Sequence, residues 1–533
     1  MKPNQNKQRQ DKNETVPKNW NKEANDSNGL KKKKSKRKEA ACDEQNKPEK
    51  EAATQGMLLK QAPEMTAEAN ENGMRTNAVP DVSMLPEDFV SGMRELLGEP
   101  AASAFFACYK KNAQVFRGLR FNRKKARPET IAALKQAWDL KPVPWCADGF
   151  YYDEKGGAVR PGKSPYHDAG VFYIQEPSAM LPAEAAEIKP DELVLDLCAA
   201  PGGKSTQAAA RAGLLLSNEI IPKRAKLLSS AIERLGFSNV IVTSAAPQQL
   251  AEACPALFDK ILVDAPCSGE GMMRREAAAI REWSVENVAL CARRQQEILE
   301  DAAKMLRPGG RLVYSTCTFE PYENRWQVQH FLSLHPEFHL LHMQQLMPHE
   351  EKGEGHFCAV MEREGTGMAF FQKAEKNAFK PGKTDRKEYI NSSEKAEAEA
   401  RAVSKEQLEK ELETLAKRLS RARIHVLRQG VQRGETKIGV HEKTARYIPS
   451  HAEVIAEAGE TAKNRVNLKT EALALRYLSG ESLDLTKEAE TSYEVQGETG
   501  FCAVCFDGYP MGLGKRSGLQ VKNHYPKGLR RTS

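Results

Sequence analysis

The sequence predicts an α/β protein with a doubly wound, mainly parallel sheet at its centre. Between residues 166 and 365, short apolar runs alternate with longer helical patterns, as is typical of a parallel sheet covered by helices on both faces. The last helical pattern stops at Arg307-Pro308-Gly309-Gly310, which breaks a helix before the next strand. Sheets of this kind bind ligands at the carboxyl ends of their strands, so functional residues are expected directly after the strands. The predicted strands span residues 193–197, 214–218, 240–243, 260–263 and 311–315.

The chain of 533 residues is longer than one domain requires, and its composition changes along its length. A small α+β module precedes the central sheet, and its periodic apolar residues run helically from Leu85 to Leu97. A β-rich domain follows the sheet. We predict a disordered basic tail at 1–80, an N-terminal module at 81–165, the α/β domain at 166–365, a charged linker and helix at 366–415, a small connecting domain at 416–465 and the β-rich domain at 466–533.

Charge and cysteine content narrow the class of protein. The first 50 residues carry 15 Lys and Arg against 8 Asp and Glu, so this segment holds nearly all of the net charge of +8. Its basic run at 31–38 is typical of a nuclear signal or an RNA-binding arm, and equally of a solvated tail without specific function. No apolar run approaches the roughly 18–20 residues of a membrane span, and no secretory signal is visible. Eleven scattered cysteines favour a reducing compartment, so a cytoplasmic protein is expected.

Two segments outside the central sheet have the composition of a nucleic-acid-binding surface. Residues 117–125 place basic side chains around a short apolar core, and residues 508–531 interleave basic residues with aromatics and glycines. Such interleaving suits contacts with phosphates and with unstacked bases. The alternative for residues 117–125 is a cationic loop on an ordinary domain, and the alternative for residues 508–531 is a plain β-barrel with a basic carboxyl tail.

The segment from Asp196 to Lys204 has the features of a cofactor-binding turn. It follows a predicted strand, and Gly202 and Gly203 allow a ligand to approach the backbone before the next helix. The spacing fits neither a P-loop, which needs a glycine where Cys198 stands, nor the G-x-G-x-x-G dinucleotide pattern. Glu219 ends the next strand, where a carboxylate can accept hydrogen bonds from a ribose diol. The residues therefore predict a nucleoside cofactor without a phosphate chain, and S-adenosylmethionine fits best.

Two cysteines directly after predicted strands indicate covalent chemistry on a pyrimidine. Carbon 5 of cytosine is a poor nucleophile until a thiolate adds to carbon 6 and converts the ring into an enamine. Cys267 and Cys317 are both placed for this addition, and Asp264 could hydrogen-bond the N3/N4 edge of the base. A single cysteine is more often a small core residue, whereas two at strand ends favour catalysis. Chemistry alone leaves open which thiol attacks.

The chain carries five distinctive motifs: QEPSAM at 175–180, CAAPGGK at 198–204, DAPCSGEG at 264–271, YSTCTF at 314–319 and GEGHF at 353–357. With them, most of residues 85–533 resembles the RsmF-type branch of the Sun (NSUN) family of RNA cytosine-5 methyltransferases. The resemblance implies a Rossmann-like SAM-dependent methyltransferase domain with a small α+β N-terminal RNA-binding module and a β-rich PUA-like RNA-binding domain at the carboxyl end. It also implies that Cys317 attacks the base and that Cys267 assists product release.

The same resemblance implies which residues bind the cofactor. One departure from the family is Ser244, which stands where an acidic or amide residue is often found near the adenine, and whose shorter hydroxyl reaches less far. The implied cofactor-binding residues are Cys198, Ala199, Ala200, Pro201, Gly202, Gly203, Lys204, Glu219 and Asp264.

The expected function is methylation of RNA at carbon 5 of cytosine, with S-adenosylmethionine as cofactor and ribosomal RNA or a ribosomal subunit as partner. A tRNA methyltransferase and a non-catalytic ribosome-assembly factor are the alternatives; a DNA methyltransferase would attack with Cys267 instead. We expect a monomer without membrane association. We expect no metal, because Cys502 and Cys505 lack a second pair or a histidine cluster, and in an extended strand their thiols would point to opposite faces.

Overall fold

The computed structural model describes residues 80–110, 113–153, 160–367, 370–371, 403–438, 445–456 and 462–531. The predicted basic tail, apart from residue 80, and most of the predicted linker at 366–415 lie outside the described residues. None of the helices within these ranges is both long and apolar enough to span a membrane.

The N-terminal module combines helices with a small antiparallel sheet. Phe89 and Met93 lie one helical turn apart and are buried together with Phe105 of the next helix. The elements are α1 (Glu87–Leu97), α2 (Ala101–Ala107), β1 (Arg117–Phe121), α3 (Pro128–Ala137), β2 (Lys141–Val143), β3 (Cys146–Tyr152), α4 (Pro165–Asp168) and β4 (Phe172–Ile174). The four strands lie in the order β2-β3-β1-β4, so β1 is an inner strand with neighbours on both sides.

The central domain is built on eight strands with helices packed on both faces. The strands are β5 (Leu193–Asp196), β6 (Leu214–Asn218), β7 (Val240–Ser244), β8 (Phe258–Asp264), β9 (Leu306–Thr316), β10 (Phe338–Leu346), β11 (His356–Arg363) and β12 (His425–Gln429). The helices are α5 (Leu181–Ala185), α6 (Gly203–Ala209), α7 (Pro222–Leu235), α8 (Pro247–Ala253), α9 (Ala277–Glu282), α10 (Val285–Met305), α11 (Arg325–Leu334) and α12 (Lys405–Arg421).

The order of this sheet is β10-β11-β9-β8-β5-β6-β7-β12, and its five central strands from β9 to β7 are parallel. β5 and β6 are buried along their whole length, as expected for strands covered on both faces. α10 ends at Met305, and the predicted breaker 307–310 lies inside β9, where the pairing with β8 shifts register. The predicted α/β class with a parallel sheet is therefore confirmed.

The segment after the linker differs from the predicted division of the chain. α12 runs across the boundary predicted at residue 415, and β12 pairs antiparallel with β7 at the edge of the central sheet. Leu412, Leu415 and Leu419 of α12 are buried in the core under that sheet. This part of the predicted connecting domain therefore belongs to the central domain, because only the folded sheet provides the edge on which β12 pairs.

The carboxyl-terminal domain is β-rich, as predicted. Its main sheet has the order β16-β20-β19-β18-β15-β17, and β13 and β14 form a separate pair. Its elements are β13 (Glu435–Ile438), β14 (Ala445–Ile448), α13 (His451–Ala456), β15 (Arg465–Leu468), α14 (Glu471–Leu478), β16 (Leu483–Asp484), β17 (Tyr493–Gln496), β18 (Gly500–Phe506), β19 (Tyr509–Ser517) and β20 (Gln520–Asn523).

This domain packs on the N-terminal module, with which it shares one hydrophobic cluster. Leu119 and Phe121 of β1 lie in the same cluster as Val504 and Met511 of the carboxyl-terminal sheet. Tyr509 binds the module directly, because its hydroxyl donates a hydrogen bond to the Thr130 hydroxyl at 3.0 Å and accepts one from the Arg127 backbone at 2.9 Å. The two domains predicted to bind RNA therefore pack directly against each other.

The two thiols of β18, Cys502 and Cys505, lie in two different hydrophobic clusters. Cys502 is buried with the cluster shared with the N-terminal module, whereas Cys505 is buried in a smaller cluster with Val454 and Leu513. Their side chains thus leave opposite faces of the strand, which is the geometry expected of residues three apart in an extended chain.

Candidate active site

The two cysteine motifs meet at neighbouring strand ends. β8 and β9 are parallel neighbours, so the loops that follow Asp264 and Thr316 leave the sheet at the same edge. This brings the sulfur atoms of Cys267 and Cys317 to 3.3 Å from each other. β5 lies on the other side of β8, so the turn after Asp196 opens at this edge as well. Three motifs that are distant in sequence thus form one site.

The turn after β5 combines a glycine that packs closely on α7 with a buried carboxylate. Gly202 has a φ of +115°, in the left-handed region that favours glycine, and a Cβ there would lie 3.2 Å from Leu228. Asp196 is buried, and one carboxylate oxygen accepts a hydrogen bond from Ser205 at 2.6 Å while the other has no partner among the described residues. Burial raises the pKa of Asp196 to about 7. A buried acceptor without a partner beside a glycine turn fits the cationic amino group of S-adenosylmethionine.

The rest of the predicted cofactor segment is tied to the end of β6 and to α7. The backbone N–H of Ala199 donates to Asn218 at 2.8 Å, and the carbonyl of Ala200 accepts from the Arg224 guanidinium at 2.9 Å. Cys198 packs against the core, and burial raises the pKa of its thiol well above its usual value, as suits a packing residue. The backbone of the turn is therefore held by the strand and the helix next to it.

Glu219 is buried directly after β6, where a ribose was predicted to bind. One carboxylate oxygen accepts a hydrogen bond from the backbone of Ile221 at 3.0 Å, and the other lies 3.3 Å from Arg224. Ser244 donates its hydroxyl to the carbonyl of Ile220 at 3.3 Å. The hydroxyl of Ser244 is therefore engaged by the loop that carries Glu219.

Arg120, to which sequence reasoning gave no site role, ties the N-terminal module to the cofactor turn. Its buried guanidinium donates to Gln175 at 3.0 Å, to the hydroxyl of Thr206 at 2.8 Å and to the carbonyl of Gly203 at 3.1 Å. Burial lowers the pKa of Arg120 to about 10, which still leaves it charged at neutral pH. Because Gly203 and Thr206 belong to the first turn of α6, Arg120 fixes the helix that follows the cofactor turn.

Asp264 is the polar centre of the site. Its carboxylate lies 2.8 Å from the ammonium of Lys204, accepts a hydrogen bond from Ser315 at 2.8 Å and lies 3.4 Å from Nε2 of His356. Burial alone would raise the pKa of Asp264, but the charge of Lys204 and the contact with His356 outweigh it and hold the pKa well below its usual value. Asp264 is therefore an ionised hydrogen-bond acceptor, with the donor Lys204 beside it.

The two cysteine loops are joined by close contacts. The backbone N–H of Gly271 donates to the carbonyl of Cys317 at 2.8 Å, and a Cβ at Gly271 would lie 2.8 Å from that oxygen. The hydroxyls of Ser268 and Thr318 hydrogen-bond to each other at 2.8 Å. The pKa of the Cys267 thiol is raised well above its usual value, first by its hydrogen bond with Cys317 and then by burial. The Cys267 thiol is thus held in its protonated form.

Two buried glutamates each accept a hydrogen bond from the backbone of the other cysteine loop. Glu323, which follows the Cys317 loop, accepts hydrogen bonds from the backbone of Ser268 at 3.0 Å and from the side-chain amide of Gln295 at 2.7 Å. Glu270, which follows Cys267, accepts one from the backbone of Phe319 at 2.9 Å. Burial raises the pKa of Glu323 to about 7 and that of Glu270 to about 8. Each carboxyl group therefore holds the backbone of the opposite loop.

The structure brings together every residue that the sequence placed in the site and adds several that it did not. Glu270 and His356 stood inside the DAPCSGEG and GEGHF motifs, but nothing in the local sequence indicated which groups they contact. Arg120 stood in the basic segment 117–125, which predicted RNA binding rather than support of the cofactor turn. Glu323 had no signal in the sequence, because its contacts depend on how two distant loops meet.

Three family models match the chain in order. The N-terminal domain of 16S rRNA methyltransferase RsmF matches residues 85–177, 16S rRNA methyltransferase RsmB/F matches 183–372, and the methyltransferase RsmF PUA domain matches 463–531.

Curated relatives match nearly their whole length. Ribosomal RNA small subunit methyltransferase F of Enterobacter sp. (strain 638) is 34% identical over 489 residues, which cover 83% of this chain and 95% of the relative. The protein of the same name from Klebsiella pneumoniae (strain 342) is 34% identical, with 83% of this chain and 96% of the relative covered. Among solved structures, a methyltransferase homolog protein from Pyrococcus horikoshii is 27% identical, with a TM-score of 0.46, and covers 53% of this chain and 99% of its own.

Proposed function

The chain belongs to the RsmB/F family of 16S rRNA methyltransferases, and we propose that it transfers a methyl group from S-adenosylmethionine to carbon 5 of a cytosine in small-subunit ribosomal RNA. The observation that carries this proposal is the pair of thiols 3.3 Å apart beside the Asp264–Lys204 ion pair and the cofactor turn. An RNA-binding protein without catalysis would have no chemical use for that arrangement.

Cys317 is the proposed nucleophile. The two sulfur atoms lie 3.3 Å apart, and a Cys267 thiol that donates a hydrogen bond to Cys317 favours the Cys317 thiolate. The thiolate of Cys317 forms a bond to carbon 6 of the cytosine, and N3 takes up a proton. S-adenosylmethionine, when bound, supplies a methyl group on a positively charged sulfur to the activated carbon 5. The family resemblance gives Cys317 the same role.

Cys267 is the proposed base for product release. Once Cys317 is bonded to carbon 6, it no longer accepts the hydrogen bond that is the largest cause of the raised pKa of Cys267. Cys267 then loses its proton to solvent more readily, and its thiolate can remove the proton from carbon 5. The bond between Cys317 and carbon 6 breaks as the ring double bond returns, N3 gives its proton back, and the Cys317 thiolate is restored.

Asp264 and Lys204 would recognise the base and activate it. The ionised Asp264 accepts a hydrogen bond from the N4 amino group, and Lys204, 2.8 Å from Asp264, is the donor that can protonate N3. The sequence predicted that Asp264 contacts the N3/N4 edge of the base. We propose that Asp264 contacts only the N4 amino group, because a carboxylate with a lowered pKa is a poor acid and does not supply the proton to N3. Asp196, Glu219 and the backbone of residues 198–203 would hold the cofactor beside this pair.

The RNA would be held by the N-terminal module and the carboxyl-terminal PUA domain, which pack against each other through a shared cluster. Phosphate contacts from their basic segments would orient the strand, and the flipped cytosine would enter between Asp264 and Cys317. Because one chain carries the thiols, the cofactor turn and both RNA-holding parts, we propose that it works as a monomer. Its ribosomal substrate supports a cytoplasmic location.

Transfer of labelled methyl groups tests this proposal. Purified small-subunit particles, large-subunit particles and bulk tRNA would be incubated with labelled S-adenosylmethionine and either wild type or Cys317→Ala. We expect 5-methylcytosine in small-subunit RNA with wild type and none with Cys317→Ala, which should still bind the cofactor. Label only in tRNA would contradict the proposed substrate, and label with Cys317→Ala would contradict the nucleophile.

A second variant tests the division of labour between the thiols. Cys267→Ala should form the bond to carbon 6 but release it slowly, so that a protein–RNA adduct accumulates. A denaturing gel should then show a slowly migrating band that depends on the cofactor and is absent from the double variant that also carries Cys317→Ala. Rapid turnover by Cys267→Ala without any such band would rule out the proposed role.

A further inference from the structure

Three aromatic side chains form an exposed stack beside the cysteine loops. Tyr322 lies just before α11, and Trp326 and His330 follow at intervals of four residues. The ring centroids of Tyr322 and Trp326 are 4.6 Å apart, and those of Trp326 and His330 are 4.8 Å apart with planes 11° from parallel. Tyr322 is 39% exposed and Trp326 is 37% exposed. We call these three residues the aromatic stack.

Packing of α11 does not account for the aromatic stack. The helix buries Gln327, Val328 and Phe331 against the central domain, and this is the face that holds it in place. Tyr322 and Trp326 lie on the exposed side of the helix, where their rings retain a water-covered apolar surface. Rings already stacked on one another offer a flat surface at low cost in side-chain entropy.

We propose that the aromatic stack binds an unpaired RNA base next to the target cytosine. The inference rests on the proposed function, since a cytosine that leaves its helix to reach Cys317 breaks its stacking with the neighbouring bases. Aromatic side chains replace such stacking in proteins that hold single-stranded RNA, whatever the identity of the base. The aromatic stack would therefore stabilise the RNA in the opened form that the reaction needs.

The position of Tyr322 links the aromatic stack to the thiols. Tyr322 is five residues after Cys317, and the intervening loop is tightly held. The hydroxyl of Tyr314 donates to the carbonyl of Glu323 at 2.6 Å, and the amide of Asn324 donates to the carbonyl of Thr318 at 2.9 Å. A base that stacks on the Tyr322 end would thus be fixed relative to the loop that carries the nucleophile.

Charge around the aromatic stack favours RNA over a protein partner. Arg325, exposed between Tyr322 and Trp326, has no hydrogen bond or ion pair with any of the described residues. A cation without an acidic partner among the described residues, next to stacked rings, suits a phosphate beside a stacked base.

Binding of a short single-stranded cytidine oligoribonucleotide to the full-length protein tests the proposal. Loss of one base–aromatic stack predicts that Trp326→Ala binds about 5- to 150-fold more weakly. Trp326→Phe, which keeps a flat ring, should bind within about threefold of wild type. Because stacking releases no counterions, Trp326→Ala should keep the salt dependence of wild type, whereas Arg325→Ala should reduce the slope of log affinity against log salt by roughly 0.7.

Leu334→Ala is the matched control, since Leu334 lies on the same helix and is 56% exposed but carries no ring. Leu334→Ala should bind the oligonucleotide like wild type. Trp326→Ala should lose in kcat/KM for methylation of small-subunit particles the same factor that it loses in affinity for the oligonucleotide, while its affinity for S-adenosylmethionine is unchanged. Equal affinity of Trp326→Ala and wild type for the oligonucleotide would overturn the proposal. A defect of Trp326→Ala seen only with whole particles would also overturn it, because that result would indicate a ribosomal protein as the partner. A loss of self-association in Trp326→Ala would overturn it as well. If instead wild type methylates no RNA, the proposed function fails, whatever the oligonucleotide shows.

Discussion

Replacing Glu323 by glutamine should make the protein more stable at pH 8 and leave its stability nearly unchanged near pH 4.5. The carboxyl group is buried between the two cysteine loops, and burial raises its pKa from 4.5 to about 7 in the folded chain. Between these values the unfolded chain releases the proton and the folded chain keeps it. Raising the pH through this window therefore favours unfolding, and the loss of stability is complete above about pH 7.

The magnitude follows from the difference between the two pKa values. A rise from 4.5 to about 7 corresponds to about 3 kcal/mol of stability lost by the wild type above pH 7. Glutamine carries no charge at any pH and avoids this loss. It can also keep the structural contacts, because one carboxylate oxygen accepts both the bond from Ser268 at 3.0 Å and the bond from Gln295 at 2.7 Å. An amide oxygen in that place accepts the same two bonds.

Urea unfolding at several pH values between 4.5 and 8.5 measures this effect. The difference in unfolding free energy between Glu323→Gln and wild type should grow from near zero to about 3 kcal/mol across that range. Glu297→Gln, an exposed change on α10, serves as the control and should show no such growth. A difference that stays constant with pH, or a glutamine variant less stable than wild type at pH 8, would refute the reasoning about burial. Glu323→Ala, which loses both hydrogen bonds, should show slower methyl transfer than Glu323→Gln.

Three further predictions test the contacts around the site. Lys204→Met removes the proposed proton donor for N3, so kcat/KM should fall, and because it also removes the charge that holds down the pKa of Asp264, the acid limb of the remaining activity should move to higher pH; an unmoved limb would separate Asp264 from catalysis. Arg120→Lys can keep only part of the two hydrogen bonds to Gly203 and Thr206 and the one to Gln175, so calorimetry should show about tenfold weaker binding of S-adenosylmethionine with near-normal kcat at saturation. Tyr509→Phe should lower the free energy of unfolding by about 1–2 kcal/mol, because the buried Thr130 hydroxyl loses its donor; an unchanged urea midpoint would argue against that bond.

The sequence predicted the central sheet well because its signals are local. Strands such as β5 and β6 are buried on both faces, so their apolar runs stand out from the helical periodicity between them. The strand-end rule then placed Cys267, Cys317 and Asp264 at one edge of the sheet from their positions in the chain alone. The departures lie where an element has a weak pattern of its own, as in β12, which is defined only by its pairing with β7.

What the sequence by itself determined is the chemistry: two thiols, a glycine turn and carboxylates at strand ends, each recognisable within a few residues of a strand. The tertiary structure decided how these groups are held and tuned. The crossed contacts of Glu323 and Glu270, the Arg120 contacts with α6 and the cluster shared by the two outer domains all join residues far apart in the chain. The pKa values of Asp264 and Cys267 depend on those same neighbours. Burial and proximity are properties of the folded chain, so no local pattern in the sequence could have revealed them.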